Sequence, residues 1–310
     1  DFPDLPLLEN DRIVKSAVTP EVQRNLTQRL TQRAVRFIDR HAGQTNTGVD
    51  SNPFFLYLPY PMPHVPLYTS ADFAEVTERG LYGDVISEID WGVGQILDSL
   101  RASDLDQNTL VVFTSDNGPW LTYGDHAGSA GPLRAGKGSI YEGGYRVPCV
   151  MRWPGTIPAD QKSTHFAATI DLLPTFAKLA GAPLPKNKID GKDISDLMFG
   201  KPDAKSPHEV FYHYDGGNRL VAVRNGKWKL MFPQSYNSPI GGEGGLPGRG
   251  QRKQIPLSLF DLENDIGETT NLADQHPEVV ARLETYADRM RAELGDGKKN
   301  VGSARRPLGK

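Results

Sequence analysis

Cysteine is the scarcest residue type in this chain of 310 residues, with Cys149 as its only instance. A single cysteine excludes an internal disulfide framework and leaves the redox compartment open. Long apolar runs are also missing, and none approaches the roughly 18 residues that a membrane-spanning helix requires. The formal net charge of -3 and a sequence pI of about 6.2 argue against nucleic acid as a partner, because such a surface needs a basic patch.

Helices alternate with short apolar strands in the first two thirds of the chain. The helices show apolar residues at helical spacing, and the strands are runs of β-branched and apolar residues typical of strands buried on both faces. These predicted elements cover residues 20–41, 53–58, 82–100, 108–114, 147–153 and 171–179. Alternation of this kind predicts an α/β fold with a parallel or mixed sheet flanked by helices.

Beyond residue 206 the pattern changes to strand after strand, separated by turns such as Asn225-Gly226. These strands predict a smaller antiparallel sheet, and the helix predicted over 277–294 carries an apolar stripe that would pack over it. The predicted strands cover residues 209–214, 220–224, 228–232 and 257–262. We therefore expect two domains, residues 1–205 and 206–310.

Two segments of the second domain show no regular pattern. Residues 237–254 are dense in glycine and basic residues, which predicts a flexible loop. This loop either borders a substrate cleft or is a solvated insertion. The tail from 295 to 310 is predicted to be disordered.

The run Ser115-Asp116-Asn117-Gly118 stands at the carboxyl end of the strand predicted over 108–114. In open α/β sheets, ligands bind outside the carboxyl ends of the strands. A carboxylate beside an amide oxygen suits Ca²⁺ or Mg²⁺ rather than a soft metal. The same residue types also make ordinary turns, so a turn without a ligand is the alternative.

A histidine follows the strand predicted over 53–58. His64 lies in the proline-rich loop 59–66, again at a strand's carboxyl end. An imidazole can donate a proton to a departing oxygen near neutral pH. A solvated surface histidine is the alternative.

Lys137 ends a glycine-framed stretch, residues 131–137, that fits the first seven positions of a phosphate-binding P-loop. The eighth position must be Ser or Thr to reach Mg²⁺, and here it is Gly138. We therefore reject nucleotide hydrolysis as the function. A lysine among glycines still offers a mobile positive charge to an oxyanion.

In order and spacing, these motifs resemble those of the type I, formylglycine-dependent sulfatases, close to arylsulfatase A. The resemblance extends almost end to end and rests on the segments 54–58 with 62–66, 115–118, 128–138 and 141–148. It implies an alkaline-phosphatase-like α/β domain followed by the antiparallel domain. It also implies a hydrolase that acts on sulfuric esters.

The resemblance further implies roles for individual residues. Asp116 and Asn117 would be two ligands of Ca²⁺, with Mg²⁺ less favoured. His64 would face the sulfate and the leaving-group oxygen, and Lys137 would bind a sulfate oxygen.

His126 and Arg134 are weaker substrate-side candidates by the same resemblance. The implied substrate is a sulfated small molecule or glycan. The implied location is extracytoplasmic, that is, periplasmic, secreted or lysosomal.

The family's nucleophile is a formylglycine made from the cysteine of a Cys-x-Pro-x-Arg motif, and that motif is absent here. Cys149 lies in the strand predicted over 147–153, where an inert, buried core thiol is expected. The family also has paired aspartates on its first strand as further metal ligands, and these are not found here. The rest of the family's N-terminal third is likewise not found, and residues 1–10 have no signal-peptide pattern. A processed chain of a two-chain enzyme, a gene fragment and a truncated chain would each explain this.

Three functions therefore stay open. The chain could supply part of a sulfatase site, with the nucleophile on an N-terminal segment that lies upstream or forms a second chain. It could be a catalytically inactive oxyanion-binding or structural fragment. It could also belong to a phosphate or phosphonate monoester hydrolase of the same superfamily, which would need a threonine or cysteine nucleophile.

Overall fold

The structure is a computed structural model, and it describes residues 5–45, 53–297 and 302–303. The chain divides into two compact units. The first unit contains Asp1–Leu110, Thr122–Gly128 and Gly241–Gly248, and the second contains Val111–Leu121, Ser129–Ile240 and Arg249–Lys310. The domain boundary predicted at residues 205 and 206 stays a prediction.

Helices provide more of the first unit's regular structure than strands do. A hairpin of β1 (Leu7–Glu9) and β2 (Arg12–Lys15) precedes α1 (Pro20–Arg24), α2 (Leu26–Thr45) and α3 (Gly80–Ala102). The helix predicted over 20–41 is thus two helices. Asn25, with φ of -102°, ends the first, and α2 packs against α3.

The strand predicted over 53–58 is not formed. These residues alternate between exposed and half-buried side chains, as in an extended chain, but they pair with no strand among the described residues. Phe55 and Tyr57 are consequently 72% and 76% exposed. A strand needs a partner for its backbone groups, and an apolar run alone does not provide one.

A two-stranded ribbon opens the second unit. Strand β3 (Val111–Thr114) pairs antiparallel with β4 (Cys149–Arg152), and Phe113 lies opposite Val150. The expectation of burial on both faces is wrong for the described residues, since Phe113 and Val150 are 43% and 62% exposed. The predicted buried thiol is wrong for the same reason, because Cys149 is exposed on this ribbon.

The predicted antiparallel sheet is confirmed. Its four strands lie in the order β10, β7, β6, β5. They are β5 (Phe211–Tyr214), β6 (Leu220–Asn225), β7 (Trp228–Met231) and β10 (Ser258–Asp261). Short helices α4 (Glu142–Tyr145), α5 (Leu172–Leu179) and α6 (Ser195–Met198) precede the sheet, and α7 (Pro277–Leu294) follows it.

The sheet has an apolar cluster on each face. Leu230 and Leu259 pack with Val279 and Leu283 of α7, as the apolar stripe predicts. On the opposite face, Met231 and Phe260 pack with Ile140 and Tyr141. The sheet therefore supports the segment that follows Lys137.

The flexible loop predicted over 237–254 is wrong in part. Strands β8 (Gln234–Ser238) and β9 (Gln251–Ile255) form an antiparallel hairpin there, in which Tyr236 lies opposite Lys253. Polar side chains on both strands hid the alternation that ordinarily predicts a hairpin. Tyr236 packs edge-on against Tyr141, with ring centroids 5.2 Å apart, which anchors the hairpin.

The predicted disordered tail is also corrected at its start. The Tyr214 hydroxyl donates to the backbone carbonyl of Gly295 at 3.0 Å, and the amide of Gly297 donates to the backbone carbonyl of Asn218 at 2.6 Å. Residues 298–301 and 304–310 lie outside the described residues. Within the described ranges, no helix combines the length and the apolar character needed to cross a bilayer.

Candidate active site

The turn after β3 carries two side chains with oxygen atoms, those of Asp116 and Asn117. The Ser115 hydroxyl donates to the carbonyl of Asn117 at 3.1 Å, and the Asn117 amide nitrogen donates to the carbonyl of Gly118 at 3.1 Å. This orientation leaves the Asn117 side-chain oxygen as an acceptor. The Asp116 carboxylate is exposed and makes no hydrogen bond or ion pair within the described part of the chain.

Glycines allow this turn to contact two other segments. The amide of Gly118 donates to the carbonyl of Gly144 at 3.1 Å. A methyl group on Gly118 would overlap the carbonyl oxygen of Gly143, and one on Gly143 would overlap that of Ala135. Close packing of backbone segments therefore explains why Gly118 and Gly143 are glycines, since a residue with a side chain would not fit at either position.

Lys137 lies on a closed loop beside the turn. The amide of Gly143 donates to the carbonyl of Arg134 at 2.9 Å, which closes the loop, and the amide of Lys137 donates to the carbonyl of Pro119 at 2.8 Å. The Lys137 ammonium lies 4.8 Å from the centroid of the Trp120 ring. Among the described residues it has no carboxylate partner.

Arg134 holds the base of this loop. Its guanidinium lies 4.1 Å from the centroid of the Tyr141 ring and donates to the backbone carbonyl of Glu268 at 2.5 Å. These contacts tie the loop to the turn that follows β10. They give Arg134 a structural task, and its substrate-side role stays a prediction.

A buried charge cluster lies under the same loop. Lys229 on β7 is fully buried, and its ammonium donates to the carbonyl of Ile140 at 2.6 Å and to the carboxylate of Glu142 at 3.0 Å. The Lys229 ammonium also lies 2.9 Å from Glu268 Oε1 and forms an ion pair with it, although the angles do not meet those of a hydrogen bond. Arg224 contacts Glu142 at 3.2 Å, and the second oxygen of Glu268 accepts from the Glu142 amide at 2.6 Å.

The two carboxylates of the cluster respond differently to burial. Burial raises the pKa of Glu142, but Lys229 and Arg224 outweigh that effect and hold the pKa below its ordinary value. Burial also raises the pKa of Glu268, and the opposing attraction of Lys229 is too weak to reverse the change. Glu142 therefore stays charged, since it contacts two cations.

This cluster is not among the site residues predicted from the sequence. A signal was present, because Lys229 interrupts an otherwise apolar strand and the period of two places it on the same face as Met231. A lysine at such a position needs a buried counter-charge. Its partners are far away in sequence, with Glu142 87 positions earlier.

His64 belongs to the first unit. Its loop is anchored by Met62 and Leu67, which pack with Val85 and Ile89 of α3, and the imidazole itself is exposed. The Nδ1 atom of His64 lies 2.7 Å from the carbonyl oxygen of Val65. Because a carbonyl oxygen can only accept a hydrogen bond, the Nδ1–H group of His64 is the donor in this contact.

His126 also belongs to the first unit, at the end of the short 3-10 helix Leu121–His126. Its half-buried ring lies directly against Gly245, where a methyl group would come within 2.7 Å of Nδ1. The carbonyl of Thr122 accepts from the amides of Gly242 and Gly248 at 2.9 Å and 2.8 Å. The glycine-rich segment 241–248 therefore holds His126 in place.

The second unit thus brings together four of the six predicted site residues: Asp116, Asn117, Arg134 and Lys137. His64 and His126 lie in the first unit. The donors Asp116 and Asn117 have the hard oxygen atoms that Ca²⁺ prefers, but Ca²⁺ takes six to eight oxygens. No cluster of three or more His, Cys, Asp or Glu side chains suits a metal in the described residues, so the pair fits one part of a coordination shell.

Family models match most of the chain. The model described as "Sulfatase" matches residues 6–182, and the model described as "C-terminal region of aryl-sulfatase" matches residues 206–308. The model described as "N-sulphoglucosamine sulphohydrolase, C-terminal" matches residues 136–237.

Individual proteins give the same result. Human steryl-sulfatase is 36% identical over 306 residues, which cover 91% of this chain and 50% of that protein. Human arylsulfatase A is 38% identical over 242 residues, which cover 74% of this chain and 47% of that protein. The chain spans about half the length of the curated relatives it matches.

The crystal structure of the PsFucS1 sulfatase from Pseudoalteromonas sp. superposes with a TM-score of 0.78, at 24% identity, over 92% of this chain and 55% of that chain. This likeness confirms the predicted fold class. The "Sulfatase" model alone matches more than half of the chain. The chain therefore belongs to the sulfatase family.

Proposed function

We propose that this chain supplies the metal-binding and oxyanion-binding part of a site that hydrolyses a sulfate monoester. One observation carries the proposal: backbone hydrogen bonds hold the Asp116–Asn117 turn and the Lys137 loop side by side, through Pro119 and Gly144. In a member of the sulfatase family, this arrangement would place oxygen donors for a metal beside a lysine that has no carboxylate partner among the described residues. That combination suits an anionic ester.

Each residue would have a distinct task. Asp116 and Asn117 would hold Ca²⁺, which supplies charge stabilisation to sulfate oxygens when bound. Lys137 would bind a further sulfate oxygen. His64 would donate a proton to the leaving-group oxygen. Because Nδ1 donates to Val65, this proton would come from Nε2 of the imidazolium form, which would leave a neutral imidazole protonated at Nδ1.

The nucleophile would come from a formylglycine segment, in the same polypeptide or in a second chain, since these 310 residues contain no Cys-x-Pro-x-Arg motif. His126 and Arg134 would border the substrate. We propose a sulfated small molecule or glycan as substrate and an extracytoplasmic location.

The test uses the complete purified protein, with intact-mass and peptide mapping to establish whether a formylglycine-bearing segment accompanies this chain. Hydrolysis of 4-nitrophenyl sulfate should exceed that of 4-nitrophenyl phosphate and should fall when EDTA removes Ca²⁺. Lys137→Ala and His64→Ala should each lower turnover by about a hundredfold. Lys162→Ala is the control, because this lysine is exposed and has no partner among the described residues.

Each failure has its own meaning. Preference for the phosphate ester would favour the phosphohydrolase alternative. Sulfate binding without hydrolysis, in material that lacks the formylglycine segment, would favour an oxyanion-binding fragment. Normal turnover in both variants would remove Lys137 and His64 from the mechanism.

A further inference from the structure

We infer that Trp120 is a positioning residue that holds the Lys137 ammonium for an anion without neutralising its charge. The ammonium lies 4.8 Å from the centroid of the indole ring, within the range of a cation–π contact. The inference deepens the proposed function, on which it rests for the identity of the anion as a sulfate.

The backbone brings the two residues close together. Lys137 donates its amide to the carbonyl of Pro119, the residue just before Trp120. Gly136 crosses the same carbonyl so closely that a methyl group there would overlap it and touch Leu121. The fold therefore holds the two residues side by side, within reach of the contact that their side chains make.

An indole holds a cation differently from a carboxylate. The ring attracts the ammonium through its quadrupole but carries no net charge. A carboxylate would attract it more strongly, but it would cancel the charge that an incoming oxyanion needs. Holding by an aromatic face limits the motion of a flexible side chain and keeps its charge available.

The chain contains a matched contrast at Lys227. Its ammonium lies 4.9 Å from the centroid of the Trp228 ring, nearly the same geometry as at Lys137. It also donates to the Asp261 carboxylate at 2.7 Å. The charge of Lys227 is thus neutralised by Asp261, so we expect its contact with Trp228 to stabilise the sheet and not to help bind an anion.

The test first measures the contact itself. Lysines are reductively methylated with ¹³C-formaldehyde, and the Lys137 signal is assigned by its loss in Lys137→Ala. The ring current of Trp120 should displace this signal, and Trp120→Leu should return it to the position of an exposed lysine. A signal that does not move in Trp120→Leu would overturn the inference, whatever the protein binds.

Calorimetric titration with inorganic sulfate then tests the consequence. Trp120→Leu should weaken binding by about fivefold to thirtyfold, and Trp120→Phe, which keeps a weaker ring, by less. Trp228→Phe is the control and should leave the affinity unchanged. Affinity within twofold of the unaltered protein in Trp120→Leu would contradict the anion-binding consequence.

The two proposals fail separately. If the unaltered protein shows the displaced Lys137 signal but binds no sulfate, the positioning contact stands and the proposed sulfate site is wrong. If Lys137→Ala binds sulfate as tightly as the unaltered protein, the proposed role of Lys137 is wrong. If both signal and affinity change in Trp120→Leu, both proposals are supported.

Discussion

Two lysines on the same side of the sheet have opposite surroundings. Lys229 is completely buried between Glu142 and Glu268, and its charge is matched twice. Lys137 is half-buried, and within the described residues its ammonium contacts the Trp120 ring and no carboxylate. A buried charge without a partner is expensive, whereas a partly solvated one is tolerated. The matched lysine therefore serves the fold, and the unmatched one can bind a ligand.

The two environments are physically connected. Lys229 contacts the carbonyl of Ile140 and the side chain of Glu142, which follow Lys137 in the same loop. The buried cluster fixes this second half of the loop and so helps to hold the half-buried Lys137 in a defined place. The buried ion pairs of Lys229 thus help to position Lys137, which has no ion pair among the described residues.

The largest effect is expected from Lys229→Met. Glu142 and Glu268 would keep their burial but lose their shared cation, which should lower the free energy of unfolding by about 3–5 kcal/mol. Lys137→Met should change it by no more than about 0.5 kcal/mol, as expected for a partly solvated side chain without a charged partner. Urea denaturation of both variants makes the comparison, and equal midpoints would refute it.

The next effect concerns the glycine crossing. Gly118→Ala places a methyl group on the carbonyl oxygen of Gly143, so the backbone must move, at a cost of about 1–3 kcal/mol. Gly94→Ala is the matched control, because a methyl group there meets nothing within 4 Å. It lies inside α3, where alanine should stabilise the helix by up to about 1 kcal/mol. Thermal unfolding should therefore move in opposite directions in the two variants.

A third effect depends on pH. His213 is buried, neither ring nitrogen has a hydrogen-bond partner in the described residues, and its ring lies edge-to-face with Tyr145 and Phe211. Burial, with help from Lys229 and Arg224, holds its pKa well below the ordinary value of 6.5.

The sign of this effect follows from proton binding. Below about pH 6.5 the unfolded chain takes up a proton at this position before the folded chain does, so stability should decline as the pH falls, by at most about 1.4 kcal/mol per pH unit. His213→Phe should flatten this slope, measured by urea unfolding between pH 7 and pH 5. An unchanged slope would show that the pKa of His213 is not lowered by folding.

Elements with a strong local pattern were predictable from sequence. The helix predicted over 277–294 matches α7, and the helix predicted over 82–100 differs from α3 by two residues at each end. The motif glycines were recognised as well. Their physical reason, a crossing of three backbone segments, became visible only in the structure.

Features that depend on distant partners were not predictable. The apolar run 53–58 does not reveal whether a neighbouring strand exists, and Cys149 does not reveal whether its ribbon is covered. The cluster at Lys229 unites residues that are far apart in sequence, such as Glu142 and Glu268. Each of these segments alone shows a charged residue of ordinary type, and only the fold shows that the charges are matched.

The smallest effect is expected at the third lysine, Lys227, which combines both kinds of contact. It is partly exposed, with Trp228 on one side and Asp261 on the other, and hydrogen bonding to Asp261 raises its pKa. Solvent and salt screen such a surface pair. Lys227→Met should therefore lower the urea midpoint far less than Lys229→Met, and the difference from the unaltered protein should shrink further in 1 M NaCl.

Inorganic sulfate should bind this variant as it binds the unaltered protein. A loss of sulfate binding comparable to that of Lys137→Ala would show that a neutralised lysine also serves the anion, and the distinction between matched and unmatched charges would fail.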